Sequence, residues 1–340
     1  MKRRLIRIAL GCLLLLGLAG CGYQTMTGIV NGQSHEIALR NCPDHPPSVS
    51  ATTPLPTSTA HTIYVGSGDN LYALSATNGA TLWCRQIIIT GQFSCPASQS
   101  CPPGPFVYWG QPAVADGVVY VCASGYGSGL TYAFRASDGG LLWRAMSDCQ
   151  AVSTPFGDNA IPLVDHGVVY SGLHALRARD GRTIWTTTAA AKDPRYISFQ
   201  ALVDGVLYGN DEDSIYAVNS HDGSVRWRYT APDKAPPGGS LVVADGRVYY
   251  GTLDSVDGSE KSALYVLDAA TGTLVWRFSM GAYAGATIAN NLIYVSSRDQ
   301  FLYALQTSDG AIRWRNRFSI PVYNTAVSAN GVIYITLNGA

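Results

Sequence analysis

Few residues of this chain stand where covalent or acid–base chemistry would need them. Of the eight cysteines, six follow the first twenty-odd residues: Cys42, Cys84, Cys95, Cys101, Cys122 and Cys149. An even set in an oxidising compartment points to disulfides, and six cysteines admit fifteen connectivities. Cys95 and Cys101 bracket a short loop and form the expected local pair. Cys84 and Cys122, on strands of successive repeats, are a second candidate cross-link. Zinc is the rival use of these thiols, but no C-x-x-C occurs and no histidine falls at ligand spacing. The six histidines (His35, His45, His61, His166, His174 and His221) form no H-x-x-x-H pair. Gly125-Tyr126-Gly127-Ser128-Gly129 has the look of a nucleophile elbow, yet Tyr126 and Leu130 occupy the two positions that must be glycine. The acidic runs Asp211-Glu212-Asp213 and Asp254-Ser255-Val256-Asp257 read as solvated turns. In the second, Val256 stands where a calcium loop needs an oxygen.

The elements that carry these residues repeat. Six of the seven tryptophans close a twelve-residue phrase, first read from Tyr72 to Trp83 and then at Trp143, Trp185, Trp227, Trp276 and Trp314. Their spacings are 60, 42, 42, 49 and 38 residues, and a glycine stands four residues before each: Gly79, Gly139, Gly181, Gly223, Gly272 and Gly310. A period near 42 with several short strands per unit predicts an all-β propeller of four-stranded antiparallel blades. The phrase supplies the third and fourth strands. Asn78-Gly79, Asp138-Gly139 and their equivalents are expected to make tight hairpins in which both central residues take positive φ. The second strand is marked by Tyr64, Tyr120, Tyr170, Tyr208, Tyr249, Tyr294 and Tyr334, most of them preceded by their own turn.

Seven second strands against six phrases predict seven blades, with eight as the alternative. The last repeat stops after its inner pair, so an N-terminal hairpin at 26–40, turned at Asn31-Gly32, is expected to close the ring and cover an edge that would invite aggregation. The six indoles are expected to pack between blades. Each would hide roughly 150–250 Å², about 4–6 kcal/mol as an upper figure. A stacking surface for sugars or cofactors is the competing use, but six equivalent positions on six blades do not converge on one site.

The phrase Y-A-L-x-A-x-x-G-x-x-x-W resembles the tryptophan-docking repeat of the pyrroloquinoline-quinone (PQQ) propeller superfamily, over roughly residues 62–340. That superfamily includes eight-bladed quinoprotein dehydrogenases. It also includes non-enzymatic lipoproteins of the outer-membrane β-barrel assembly machinery. The dehydrogenases hold their quinone between a tryptophan and a disulfide of two adjacent cysteines, with Ca²⁺ and an Asp base. No two cysteines here are adjacent, and no segment matches the metal and base set. The resemblance therefore implies the scaffold branch, with no catalytic residues and no cofactor. PQQ with Ca²⁺ belongs only to the alternative reading as an oxidoreductase.

Residues 1–20 read as a signal peptide. Lys2, Arg3, Arg4 and Arg7 precede an apolar core from Leu5 to Leu18 that is too short to span a bilayer. Leu18-Ala19-Gly20-Cys21 resembles the bacterial lipobox, which makes Cys21 the lipidated N-terminus and the two-chain membrane anchor. An ordinary secretory signal is the alternative. Gly22 rather than Asp follows it, which favours the outer membrane where one exists and otherwise the outer face of the cytoplasmic membrane. Residues 21–60 hold the anchor, the hairpin and a Pro/Ser/Thr-rich linker, and 61–340 the propeller. Charged residues are 14%, the formal net charge is zero and no basic stripe occurs, so nucleic-acid binding has little support.

One connection is irregular. Between Ile87 and Gly110 the passage from the first to the second repeat is long, and it leads into Trp109, the tryptophan outside the phrase. On the face where such connections open, Trp109, Gln111, Tyr196, Gln200, Tyr283, Tyr323 and Asn324 are the candidate partner or ligand residues. A plugged channel mouth is the alternative use of these side chains. The sequence thus predicts a lipid-tethered, monomeric envelope propeller that binds a protein partner. A quinoprotein oxidoreductase and a sugar- or peptide-capturing receptor are the alternatives.

Overall fold

The computed structural model describes residues 25–30, 33–38, 61–67, 70–86, 108–125, 128–149, 161–187, 198–211, 213–232, 237–252, 262–281, 283–322, 326–335 and 337. Among them every regular element of more than one residue is a β-strand. The chain divides into two compact units, 1–87 with 137–139, and 88–136 with 140–340.

In the first unit, β1 (Thr25–Val30) and β2 (Gln33–Ala38) pair antiparallel in a two-stranded sheet of their own. A three-stranded sheet follows from β3 (Thr62–Ser67), β4 (Asn70–Ser75) and β5 (Thr81–Gln86). Trp83 is buried here against Gly139: a Cβ on that glycine would lie 2.6 Å from the indole. Arg85 fixes the same turn by donating Nε–H to the Gly139 carbonyl at 2.8 Å and a second guanidinium N–H to the Asp138 carbonyl.

The second unit holds five complete blades. The first has an interrupted inner strand, β6 (Tyr108–Trp109) and β7 (Ala113–Ala115), both paired with β8 (Val118–Gly125), then β9 (Ser128–Arg135) and β10 (Leu141–Met146). Next come β11 (Leu163–Asp165), β12 (Val168–Ser171), β13 (His174–Arg177) and β14 (Thr183–Thr186). The third is β15 (Ser198–Val203), β16 (Val206–Asn210), β17 (Ser214–Asn219) and β18 (Val225–Thr230). The fourth is β19 (Pro237–Ala244), β20 (Arg247–Thr252), β21 (Ala263–Asp268) and β22 (Leu274–Ser279). The fifth is β23 (Tyr283–Ala289), β24 (Leu292–Ser297), β25 (Phe301–Gln306) and β26 (Ile312–Arg317). An inner pair, β27 (Val327–Ala329) and β28 (Val332–Tyr334), ends the series. Each blade pairs in chain order, and the first strands β7, β11, β15, β19, β23 and β27 pack one against the next. Counted by second strands there are seven repeat units, and the architecture is the expected β-propeller.

Two kinds of turn build a blade. Between first and second strands, Asp116-Gly117, His166-Gly167, Asp204-Gly205, Asp245-Gly246 and Asn330-Gly331 both take positive φ, 44–51° and then 70–76°. These are the two-residue turns that match strand twist. The phrase turns differ from expectation, because among their residues only the glycine is left-handed. In the turn of β17–β18, Gly223 N–H donates to the Asn219 carbonyl at 2.9 Å, and the Asp222 carboxylate accepts from Ser224 N–H at 2.9 Å. The loop is therefore longer than two residues, with a register shift beside it, and the Asp or Asn serves as acceptor for the amide two residues on. Thr271, the one variant, does the same with its hydroxyl toward Thr273 N–H at 3.4 Å.

The longer loop presents the bare face of its glycine to the preceding blade. A Cβ there would lie 2.6 Å from Trp143 at Gly181, from Trp185 at Gly223 and from Trp227 at Gly272, and 2.7 Å from Trp276 at Gly310. Each indole also donates Nε1–H to the carbonyl three residues before that glycine: to Ala178 at 2.6 Å, Ser220 at 3.0 Å, Ala269 at 2.9 Å and Thr307 at 3.1 Å. On its other side each indole meets the second-strand tyrosine of its own blade, as Trp185 meets Tyr170 with centroids 5.9 Å apart. The two sequence marks are thus one contact. Trp314 corrects the expectation of six docked indoles: it meets Tyr294 at 5.8 Å but is 41% exposed. Among the described glycines none approaches Trp314 as Gly310 approaches Trp276.

Cys122 corrects a second expectation. It is bonded to Cys149, 27 residues on, and not to Cys84, which is itself disulfide-bonded. The reason is the path of the chain after β10. Ser147 to Cys149 runs back over the β8–β9 hairpin of its own blade, where a Cβ on Gly129 would collide with the Cys149 carbonyl at 1.5 Å. The Cys95–Cys101 pair lies outside the described residues.

Candidate functional site

In the second unit one end of the sheets gathers the connections between blades and the turns between second and third strands. The opposite end carries the two turn types just described.

Of the expected face residues, Trp109 stands in β6 with its backbone paired to Ala123, and Tyr283 opens β23 opposite Ser297. The side chains of both lie outside the description, as do Tyr196, Tyr323 and Asn324. Gln111 is exposed between β6 and β7. Gln200 is hydrogen-bonded at both ends of its amide. Its Nε2 donates to Asn210 Oδ1 at 2.6 Å, and its Oε1 accepts from Leu241 N–H at 2.6 Å, so the amide joins two neighbouring blades. It is half-buried.

Three carboxylates line this end. Asp211 is 9% exposed, which corrects the reading of its run as a solvated turn. It accepts the Tyr216 hydroxyl and the amides of Asp213 at 2.8 Å and Ser214 at 2.7 Å. Asp299, which the sequence reading missed, repeats the device: it accepts the Tyr303 hydroxyl at 2.7 Å, Gly281 N–H at 3.2 Å and Phe301 N–H at 3.1 Å. The common signal is an Asp four or five residues before the tyrosine that opens the phrase. Burial first, and then the carboxylate acceptor, push both phenols above their usual range. Asp148 sits in the stapled Ser147–Cys149 connector with φ +50° and meets His174 Nε2 at 3.2 Å. His174 Nδ1 meets Thr186 Oγ1 at 3.0 Å. Asp, His and Thr are thus in a chain, but what they join is the connector to two strands of the next blade.

The quinoprotein chemistry needs a metal-ligand cluster and a vicinal disulfide. Among the described residues no three His, Cys, Asp or Glu side chains converge on one point. The three carboxylates are spread over three blades, and Asp211 and Asp299 are each saturated by local donors. The Cys122–Cys149 bond joins residues 27 apart and is not a vicinal disulfide. These residues do not fit the quinone and its Ca²⁺.

A family model described as outer membrane protein assembly factor BamB matches residues 67–193, 171–260 and 260–339. No curated protein matches the chain. Among solved structures, BamB from Moraxella catarrhalis is 19% identical, over 81% of this chain and 77% of its own, with a TM-score of 0.56. The computationally designed protein Ika8 is 12% identical over 92% and 86%, with a TM-score of 0.58. Quinohemoprotein alcohol dehydrogenase ADHIIG from Pseudomonas putida HK5 is 15% identical over 81% of this chain and 60% of its own, also at 0.58. A designed protein and an oxidoreductase score alike here, so these likenesses describe the fold alone.

Proposed function

The chain belongs to the family of outer membrane protein assembly factor BamB, and on that premise we propose that it is a membrane-tethered β-propeller of the cell envelope that binds and positions a protein partner. The observation that carries this reading is where the aromatic chemistry goes. In five blade steps the indole is committed to a glycine of the next repeat, and four of these also hold a backbone carbonyl. The strand-rich core is thereby spent on holding blades together. The connecting end, with Trp109, Gln111 and Tyr283 at the starts of first strands, is left to recognise a partner.

The tether is Cys21, lipidated after removal of residues 1–20. It places the protein on the outer membrane where there is one, and otherwise on the outer face of the cytoplasmic membrane. The protein acts as a monomer, without a cofactor. A photo-cross-linking residue in place of Gln111, in the native envelope, tests the reading. An adduct to an envelope protein supports it. Absence of any adduct, or turnover of an alcohol in a dye-reduction assay with PQQ and Ca²⁺, refutes it.

A further inference from the structure

The outer strand β26 differs from every other fourth strand of the second unit. All six of its residues are exposed. Its sequence, Ile312-Arg313-Trp314-Arg315-Asn316-Arg317, carries three arginines and the exposed tryptophan. Its equivalents β10, β14, β18 and β22 hold two arginines at most, and their indoles are docked. β26 is the last strand of its sheet, so its outer main-chain groups have no ladder partner among the described residues.

The geometry of that edge is specific. Phe318 N–H donates inward to the Gln300 carbonyl at 2.8 Å. In an antiparallel ladder the bonding direction alternates, so the N–H and C=O of Arg317 and Arg315 face outward. The same two residues carry guanidinium groups on one face of the strand, both over the Phe301 ring, at 5.2 Å for Arg315 and 5.9 Å for Arg317. Arg317 also donates to Gln300 Oε1 at 3.1 Å. Neither has a carboxylate partner among the described residues, and Arg313 has none either. Trp314 lies on the opposite face. The register shift beside Ile312 ends the regular edge at Trp314, so Trp314 to Phe318 is the segment fit for pairing.

We propose that this edge takes an extended acidic segment of a protein partner by strand addition. Main-chain bonds form to Arg315 and Arg317, carboxylates at alternate positions meet their guanidinium groups, and an apolar side chain between them covers Trp314. The proposal rests on the protein-binding reading and specifies one docking strand and its ligand chemistry. An anionic lipid surface would satisfy the arginines but not the outward amides and carbonyls. A second copy of this edge would bring arginine against arginine.

The test uses the full-length protein and a fluorescein-labelled peptide that alternates Glu with Val. Binding should saturate in the micromolar range and weaken as salt shortens the screening length. Methylation of alternate peptide amides should weaken it about tenfold or more, because the ladder bonds are lost. The double variant Arg315→Glu/Arg317→Glu should lose the Glu peptide and gain one in which Lys replaces Glu. That gain cannot come from misfolding. No saturable binding below about 1 mM, equal binding of the methylated peptide, or capture by phosphatidylglycerol vesicles in place of the peptide overturns the proposal. If the peptide fails while the Gln111 adduct persists, the edge is refuted and the scaffold reading stands. If both fail, the scaffold reading falls as well.

Discussion

Gly223→Ala isolates the contact that recurs through the fold. Gly223 has φ +75°, and a Cβ there would stand 2.6 Å from Cε3 and 2.9 Å from Cδ2 of Trp185. Two costs follow. An L-residue in the left-handed region costs about 1–2 kcal/mol. Forcing a methyl against a packed ring whose Nε1 is already bonded to the Ser220 carbonyl costs about 1–3 kcal/mol more. The sum is about 2–5 kcal/mol. Gly246→Ala supplies the first cost alone, because Gly246 has φ +70° and nothing within 4 Å of the would-be Cβ. Urea unfolding followed by far-UV circular dichroism, with the disulfides intact, measures both. Gly223→Ala should exceed Gly246→Ala by about 1–3 kcal/mol, and this excess should vanish in a Trp185→Ala background, where the ring is gone. Equal costs for the two glycines, or an excess that survives removal of the indole, would refute the docking.

The remaining predictions concern titration, cross-linking and the anchor. Tyr216 and Tyr303 have raised values in the folded protein, so their contribution is full below the ordinary phenol value of 10.0 and is lost as pH climbs through the folded one. Burial also raises Tyr120, Tyr132, Tyr208 and others, so absorbance titration near 295 nm should show Tyr216 and Tyr303 as the last of these phenols to ionise, and Asp211→Asn should bring Tyr216 down. Asp268 is held low first by the Thr271 hydroxyl and then by its amide, so its contribution is present above 3.8 and lost as pH falls through the depressed value. Thr271→Val should raise the Asp268 midpoint in a carboxyl NMR titration. Cys122→Ser/Cys149→Ser opens a 27-residue separation and should cost about 3–4 kcal/mol by chain entropy in the same urea assay. Cys21→Ala should release the protein from membranes into the soluble envelope fraction, as read by fractionation.

The blades were legible because their signal is redundant: indole, glycine and tyrosine recur six or seven times, and the glycine always stands four residues before the indole. Tyrosine and tryptophan are both visible as marks of the repeat, but as separate ones. What hid their union is that the two rings meet across strands of one blade while the glycine comes from the next. The phrase turns were misread because Asn-Gly and Asp-Gly suit a two-residue hairpin, whereas here the acid is an acceptor and the loop is longer. Asp211 and Asp299 were obscured for the opposite reason. An acid in a loop ordinarily faces water, and only the position of a tyrosine four or five residues on reveals its buried partner. Gln200 shows what polarity alone leaves open: an amide at a strand start can face a ligand or stitch blades, and only the structure reveals its bonds to Asn210 and Leu241. The Cys122–Cys149 bond depends on a chain reversal after β10 that no local pattern encodes.

The central claim is that the repeat uses its aromatic groups to hold blades and leaves the connecting end to bind protein. Native mass spectrometry of the full-length protein, isolated in mild detergent from its own envelope, tests it most directly. The account predicts a defined complex with another envelope protein. A protein that leaves the membrane alone, with no associated chain, would contradict it.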